Sequence, residues 1–213
     1  MNDKSKGWLN YWVDPKSWTF KGDFEGIYRD FDDPWLCQQR NASIERRFIM
    51  ILLGGRRYLR LLDIGCGLGG FTETLRQSSG ADFACGVDVS PTAVAKAAER
   101  YHKCQFVATD ITQAPLPRGE GGLPYDLILL QEVIWYLLPH LPDVLRSINE
   151  SLAAEGVFFI EQCFPNNQKF GREYLTSPDE LIEKYLRPAG FKIDIQFRQI
   201  LSDESILLIK LTK

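Results

Sequence analysis

Leu61-Leu62-Asp63-Ile64-Gly65-Cys66-Gly67-Leu68-Gly69-Gly70 decides the fold. The apolar run "LRLLDIG" reads as a short buried strand closed by glycine, and "GGFTETLRQS" after it reads as a helix. Glycines between a strand and a helix let the backbone turn tightly and approach a ligand closely. By itself this pattern fits an ordinary strand-to-helix turn, or a dinucleotide site, as well as anything else. Asp63 separates the readings, because a carboxylate two positions before the first glycine serves a pyrophosphate poorly and suits an ammonium or sulfonium group.

Working outward, strands and helices alternate. "FACGVDV" is a second strand, and "SPTAVAKAAERY" is a helix with Ser90 as N-cap and Pro91 at its first position. "CQFVATDI" is a third strand. "YDLILLQE" is a fourth, continuously apolar, as a strand covered on both faces requires. A helix over 142–153, a strand "GVFFIEQCF", a helix "SPDELIEKYLRPAG" and two final runs joined by "LSDE" complete the chain, the last pair fitting an antiparallel hairpin. This alternation predicts an α/β fold with a doubly wound, Rossmann-like, mostly parallel sheet. Such sheets bind ligands beyond the carboxyl ends of their strands. Asp88 ends the second strand about 20 residues past the glycine turn, where an acid meets ribose hydroxyls, or it is a capping carboxylate ahead of Ser90. Asp110 ends the third, where a carboxylate can accept the amine of adenine with Ile111 beside the ring, or it simply forms a turn. Taken together, three successive strands end in a carboxylate.

The rest of the composition narrows the classes. The 213 residues suffice for one compact domain, with 45% hydrophobic and 25% charged residues and a formal net charge of −3. No long basic run suggests nucleic acid or a membrane surface as partner. The N-terminus lacks a signal-peptide core and no stretch is apolar enough to span a bilayer, so a cytoplasmic location is expected. Five scattered cysteines without a CxxC pair, and only two histidines, argue for neither a disulfide framework nor a metal site. Residues 1–57 form an aromatic-rich cap or lid segment ahead of a core at 58–213; residues 1–40 hold four of the five tryptophans. From about Ser43, helical spacing puts Ile44, Phe48 and Ile51 or Leu52 on one face, with Gly54 and Gly55 ending the helix.

"LLDIGCGLGG", "GVDVS", "ATDI" and "YDLILLQEVIWYL" resemble, in this order and spacing, the first four motifs of the class I S-adenosylmethionine-dependent methyltransferases, over roughly residues 58–163. The resemblance implies a seven-stranded sheet whose last strand is antiparallel, and S-adenosylmethionine as cofactor. It implies that Gly65, Cys66 and Gly67 contact the amino-acid part of the cofactor and that Asp63 supports its ammonium. Asp88 would hold the ribose, Asp110 the adenine amine, Val89 and Ile111 the adenine faces, and Gln131 would lie beneath. "QEVIWYL" and "DDPWLCQQRNASIERR" are similar to enzymes acting on small molecules, including sugar N-methyltransferases of the nodulation type. On that likeness Trp35 and one of Arg40, Arg46 or Arg47 would close over the cofactor, Arg46 being the match to the Glu-Arg pair. The alternative is a packed tryptophan and a solvated basic face.

For the acceptor, no Asn-Pro-Pro-Tyr type motif follows the fourth strand, which disfavours adenine or glutamine amino groups. Glu132 is the candidate general base by position, or a structural acceptor of hydrogen bonds; Tyr136 and His140 are weaker candidates, and His140 reads more readily as a surface-loop residue. Trp135 and Tyr136 would border the acceptor. In the polar loop "FPNNQKFGREYLT", Lys169, Arg172 and Tyr174 could grip a phosphate or carboxylate, as on a nucleotide-linked sugar, or lie in solvent. The expectation is a methyltransferase acting on N or O of a small molecule, as a monomer or homodimer. A nicotinamide-dependent oxidoreductase, disfavoured by Asp63 and Asp110, and a non-catalytic cofactor-binding protein are the alternatives.

Overall fold

The computed structural model of the chain describes residues 7–36 and 44–213. Seven strands form one sheet: β1 Arg60–Ile64, β2 Phe83–Asp88, β3 Gln105–Ala108, β4 Tyr125–Gln131, β5 Leu152–Pro165, β6 Lys192–Ile200 and β7 Glu204–Thr212. Their order across the sheet is β3-β2-β1-β4-β5-β7-β6. Strands β1 to β5 pair in parallel, and β7 pairs antiparallel with both β5 and β6. The expected antiparallel last strand is therefore present, inserted between its hairpin partner and β5. The chain runs outward from β1 to β3 and then returns to the other side of β1 as β4. That reversal opens a crevice above the tips of β1 and β4, where doubly wound sheets place their ligands.

Helices cover both faces: α1 Leu9–Trp12, α2 Phe24–Asp30, α3 Ile44–Leu52, α4 Gly70–Ser79, α5 Pro91–Arg100, α6 Ile134–Leu137, α7 Leu141–Ser151, and α8 Pro178–Glu180, which runs on as a π-helical stretch Leu181–Leu186. The apolar runs explain the two cores. Side chains alternate across a strand, so Leu62, Ile64, Ile128, Leu130 and Phe158 enter one core with Val144, Leu145 and Ile148 of α7. Leu61, Leu127, Leu129 and Phe159 enter the other with Ile49 of α3 and Leu75 of α4. Each such side chain, buried whole, contributes roughly 1.5–3 kcal/mol. Asp63 shares the face of Leu61, which aims it toward α4.

Several boundaries differ from the sequence reading. Helix α7 ends at Ser151 and β5 starts at Leu152, because Tyr125 of β4 already pairs with Leu152 ahead of a register shift. The face assigned to α3 is rotated: Arg46 and Ile49 are buried, whereas Ile44 and Ile51 are exposed. Phe48 packs at the edge, stacked on Phe197 of β6 with ring centroids 4.9 Å apart. The spacing was helical, but an arginine on the inner face hid which side was inside. The N-terminal aromatics, which show no strand period, form α1 and α2; Asp23 caps α2 by accepting from the Gly26 N–H at 2.8 Å.

Candidate active site

The glycine turn is held to the next strand before any ligand is considered. The Gly65 and Cys66 amides donate to the Val87 carbonyl at 2.8 and 3.0 Å. Gly65 has φ +74°, and a Cβ there would lie 2.3 Å from Val133 Cγ2; one on Gly67, at φ +52°, would lie 2.6 Å from the Tyr28 hydroxyl. The loop thus needs glycine both for its left-handed backbone and for the close approach of the chain's own side chains.

Asp88 lies at the end of β2 and is almost wholly buried. Its Oδ2 accepts from the Gly67 N–H at 2.9 Å and its Oδ1 from the Ser90 N–H at 3.0 Å. Burial raises its pKa against those backbone hydrogen bonds. Ser90 caps α5 by accepting from the Ala93 N–H at 3.1 Å, so capping falls to the serine and loop-holding to the aspartate. Asp63 is buried and accepts from Thr72 Oγ1 at 2.6 Å. Burial pushes its pKa up to about 6, opposed by the Thr72 hydrogen bond and the Arg46 charge. Asp110 is exposed and forms a turn, accepting from the Thr112 N–H at 2.9 Å and hydroxyl at 2.7 Å. Ile111 packs on the core beside it, and Val89 is 44% exposed. Asp63, Gly65, Cys66, Gly67, Asp88, Val89, Asp110 and Ile111 all face one cavity of about 780 Å³.

From α3, Arg46 is the buried member of the arginine group. Its guanidinium lies 4.5 Å over the Phe71 ring and donates to Gln131 Oε1 at 3.3 Å. Gln131 in turn donates to the buried Glu161 carboxylate. Arg47 is exposed, and Arg40 lies outside the described residues. The N-terminal segment docks through Glu25, whose carboxylate accepts from Ser90 Oγ at 2.6 Å, the Thr92 N–H at 3.1 Å and Thr92 Oγ1 at 2.5 Å. Lys96 Nζ donates to the Tyr28 carbonyl at 2.7 Å. This docking sets Trp35 and Tyr28 at the cavity wall.

Beyond the glycine turn the cavity is walled by rings: Trp18, Phe20, Phe24, Trp35, Tyr136 and Phe170. The Tyr136 ring lies 4.8 Å from that of Phe24 and 6.4 Å from that of Trp35. Trp135 donates its Nε1–H to the Cys163 carbonyl at 3.0 Å. Glu132 faces the cavity with a left-handed backbone, φ +56°. Its Oε1 accepts from the Cys163 N–H at 2.8 Å and its Oε2 from Gln162 Nε2 at 3.0 Å. A non-glycine residue in that conformation costs of order 1–3 kcal/mol and is a mark of functional sites. Lys169 lines the cavity, its ammonium 5.2 Å over the Trp18 ring, and Tyr174 lines it too. Arg172 does not: it is exposed and outside the lining, whereas its exposed neighbour Glu173 borders the cavity. His140, read as a surface histidine, is exposed but stands at the cavity rim.

Sequence reasoning missed Glu25, Tyr28, Thr72, Glu161 and Gln162. The last two left a signal, since a Glu-Gln pair inside the apolar run "GVFFIEQCF" must find partners when buried. Thr72 and Glu25 left none, as their partners lie 9 and 65 residues away.

The doubly wound sheet brings its glycine turn and three strand-tip carboxylates onto one cavity, on a fold that solved methyltransferases share. Residues 62–158 match the family described as a methyltransferase domain. The chain is 29% identical over 141 residues to Nodulation protein S of Azorhizobium caulinodans, covering 62% of this chain and 64% of that one. It is 30% identical over 118 residues to the highly reducing polyketide synthase ALT1 of Alternaria alternata, covering 50% of this chain and 4% of that one. It therefore spans less than two thirds of either relative. The solved structure of N-methyltransferase NodS from Bradyrhizobium japonicum WM9 in complex with S-adenosyl-L-homocysteine superposes with a TM-score of 0.68 at 21% identity, over 88% of this chain and 96% of that one. The chain thus carries a segment that matches the methyltransferase-domain family, shares the fold of a solved methyltransferase and resembles NodS. Among the described residues no helix is long and apolar enough to cross a membrane.

Proposed function

We propose that the protein moves the methyl group of S-adenosylmethionine to a nitrogen or oxygen of a small acceptor. One observation carries this reading: carboxylates at the tips of three adjacent strands, Asp63, Asp88 and Asp110, open onto one cavity with the glycine turn. The donor set fits the cofactor. A buried carboxylate at Asp63 matches an ammonium, Asp88 keeps acceptor capacity for ribose hydroxyls beyond its two backbone bonds, and Asp110 with Ile111 suits an adenine edge and face. Arg46 and Trp35, from the N-terminal segment, would close over the methionine end, with Gln131 beneath. When bound, the cofactor supplies an activated methyl on a sulfonium. What the chain adds is alignment of the acceptor and exclusion of water by the docked α2 and its rings. Glu132, fixed at the acceptor end, would orient the acceptor's N–H or O–H and take its proton.

The ring-lined wall supports an acceptor with a flat or apolar face, such as a sugar or an aromatic ring, and the likeness to NodS supports nitrogen. The cations available to an anionic acceptor are few: Lys169 sits against Trp18, and Arg172 points elsewhere. This weakens a nucleotide-linked sugar relative to a neutral or amino sugar. The test is a panel of amino sugars, neutral sugars, phenols and carboxylic acids incubated with methyl-labelled cofactor and read by mass spectrometry. A gain of one methyl on an amino sugar or a phenol is expected, with Glu132→Gln lowering turnover and leaving cofactor affinity intact. Tight NAD(H) binding with no response to S-adenosylhomocysteine overturns the reading.

A further inference from the structure

We infer that Gln162 is a positioning residue that fixes the Glu132 carboxylate at the acceptor end of the cavity, an inference resting on the proposal that Glu132 meets the acceptor. Gln162 is wholly buried in β5, yet its side chain uses both ends. Its Oε1 accepts from the Ile134 N–H at 3.0 Å, which secures the first turn of α6. Its Nε2 donates to Glu132 Oε2 at 3.0 Å and to the Cys163 carbonyl at 3.3 Å. The neighbouring Cys163 N–H fills Glu132 Oε1 at 2.8 Å. Glu132 donates its own N–H to the Glu161 carbonyl at 2.9 Å. Three consecutive residues of β5 thus hold residue 132 by its amide and both carboxylate oxygens.

The backbone gives the clamp its purpose. At φ +56°, Glu132 sits where a side chain is disfavoured, and such a conformation persists only when its surroundings over-determine it. Val133, one residue on, presses into the space left by the missing Cβ of Gly65. The corner from Gln131 to Trp135 is therefore wedged between the cofactor loop on one side and β5 on the other. A carboxylate held by two N–H donors is fixed in direction. Buried glutamine suits this role because it donates to the carboxylate and accepts from Ile134 with one planar group, which neither glutamate nor methionine can do.

The experiment compares wild type with Gln162→Glu, Gln162→Met, Glu132→Gln and the double variant Glu132→Gln/Gln162→Glu. Gln162→Glu keeps an acceptor for the Ile134 N–H but turns a repelling carboxylate on Glu132. The double variant restores a donor–acceptor pair with the partners exchanged. Thermal melts form a double-mutant cycle that needs no acceptor. The double variant is expected to melt above Gln162→Glu. Additive losses overturn the inference. Calorimetry with S-adenosylhomocysteine is expected to give affinities within about threefold of wild type for all four. With the acceptor found in the panel above, Gln162→Glu is expected to lower kcat by about tenfold or more and to move the acid limb of the rate profile to higher pH. The double variant, though it melts above Gln162→Glu, is expected to recover no turnover because the carboxylate has left position 132. Wild-type kcat and pH profile in Gln162→Glu overturn the positioning role. If no acceptor in the panel is methylated while S-adenosylhomocysteine binds, the acceptor assignment fails and the stability cycle alone decides the clamp.

Discussion

Lowering the pH should weaken cofactor binding through one buried side chain, Asp63. Burial lifts its pKa from an ordinary 3.8 to about 6, even with Thr72 donating to it and Arg46 nearby. In the cofactor-free protein this raised value has a definite sign. The unfolded chain ionises Asp63 first, so its contribution to stability is full below about pH 4 and is lost as pH rises through 6. The loss by neutral pH is of order 3 kcal/mol, from two pH units at 1.4 kcal/mol each. An ammonium bound against the carboxylate reverses the preference, because it favours the ionised form. Binding must then expel a proton wherever Asp63 is protonated in the free protein. Affinity for S-adenosylhomocysteine should be level above pH 7 and about tenfold weaker at pH 5. Calorimetry in two buffers of different ionisation enthalpy measures both the affinity and the proton released. Asp63→Asn should bind about ten- to a hundredfold more weakly at pH 7, as expected for loss of a charged hydrogen-bond partner, and show a much flatter pH dependence. A wild-type affinity level from pH 5 to 7.5, or an Asp63→Asn variant that keeps the full slope, refutes the reasoning.

Other substitutions test neighbouring parts. Asp88→Ala strips acceptors from the Gly67 and Ser90 amides and from the ribose site; it should lower the melting temperature and weaken S-adenosylhomocysteine by more than about tenfold, seen by calorimetry. Gly65→Ala forces a Cβ toward Val133 in a left-handed backbone, and denaturant titration should show a loss of about 1–3 kcal/mol. Glu25→Ala removes three hydrogen bonds that dock α2, so amide exchange over residues 24–30 should quicken while that of β1 stays unchanged.

How far the sequence carried the reading follows from where each interaction is encoded. Strands β1 to β4 were legible because their apolar runs are local, as are the glycine or aspartate that closes β1, β2 and β3. The N-cap of α5 was legible for the same reason: Ser90 and Pro91 are adjacent. The hairpin of β6 and β7 was legible, but its insertion beside β5 is set by pairing across 40 residues and more. The face of α3 was misread because Arg46 is buried by a ring and a glutamine that only the fold brings to it. The acceptor end was the least legible. Glu132 was found by position, whereas the Gln162 and Cys163 groups that hold it lie some 30 residues away. Arg172 was chosen by charge, and a turn in its loop sent it to solvent.

The most direct measurement is a crystal structure of the protein with S-adenosylhomocysteine. The ammonium is expected against Asp63, the ribose hydroxyls on Asp88 and the adenine between Val89 and Ile111 with its amine toward Asp110. A nucleoside bound anywhere other than over the tips of β1, β2 and β3, or none bound at saturating concentration, contradicts that placement.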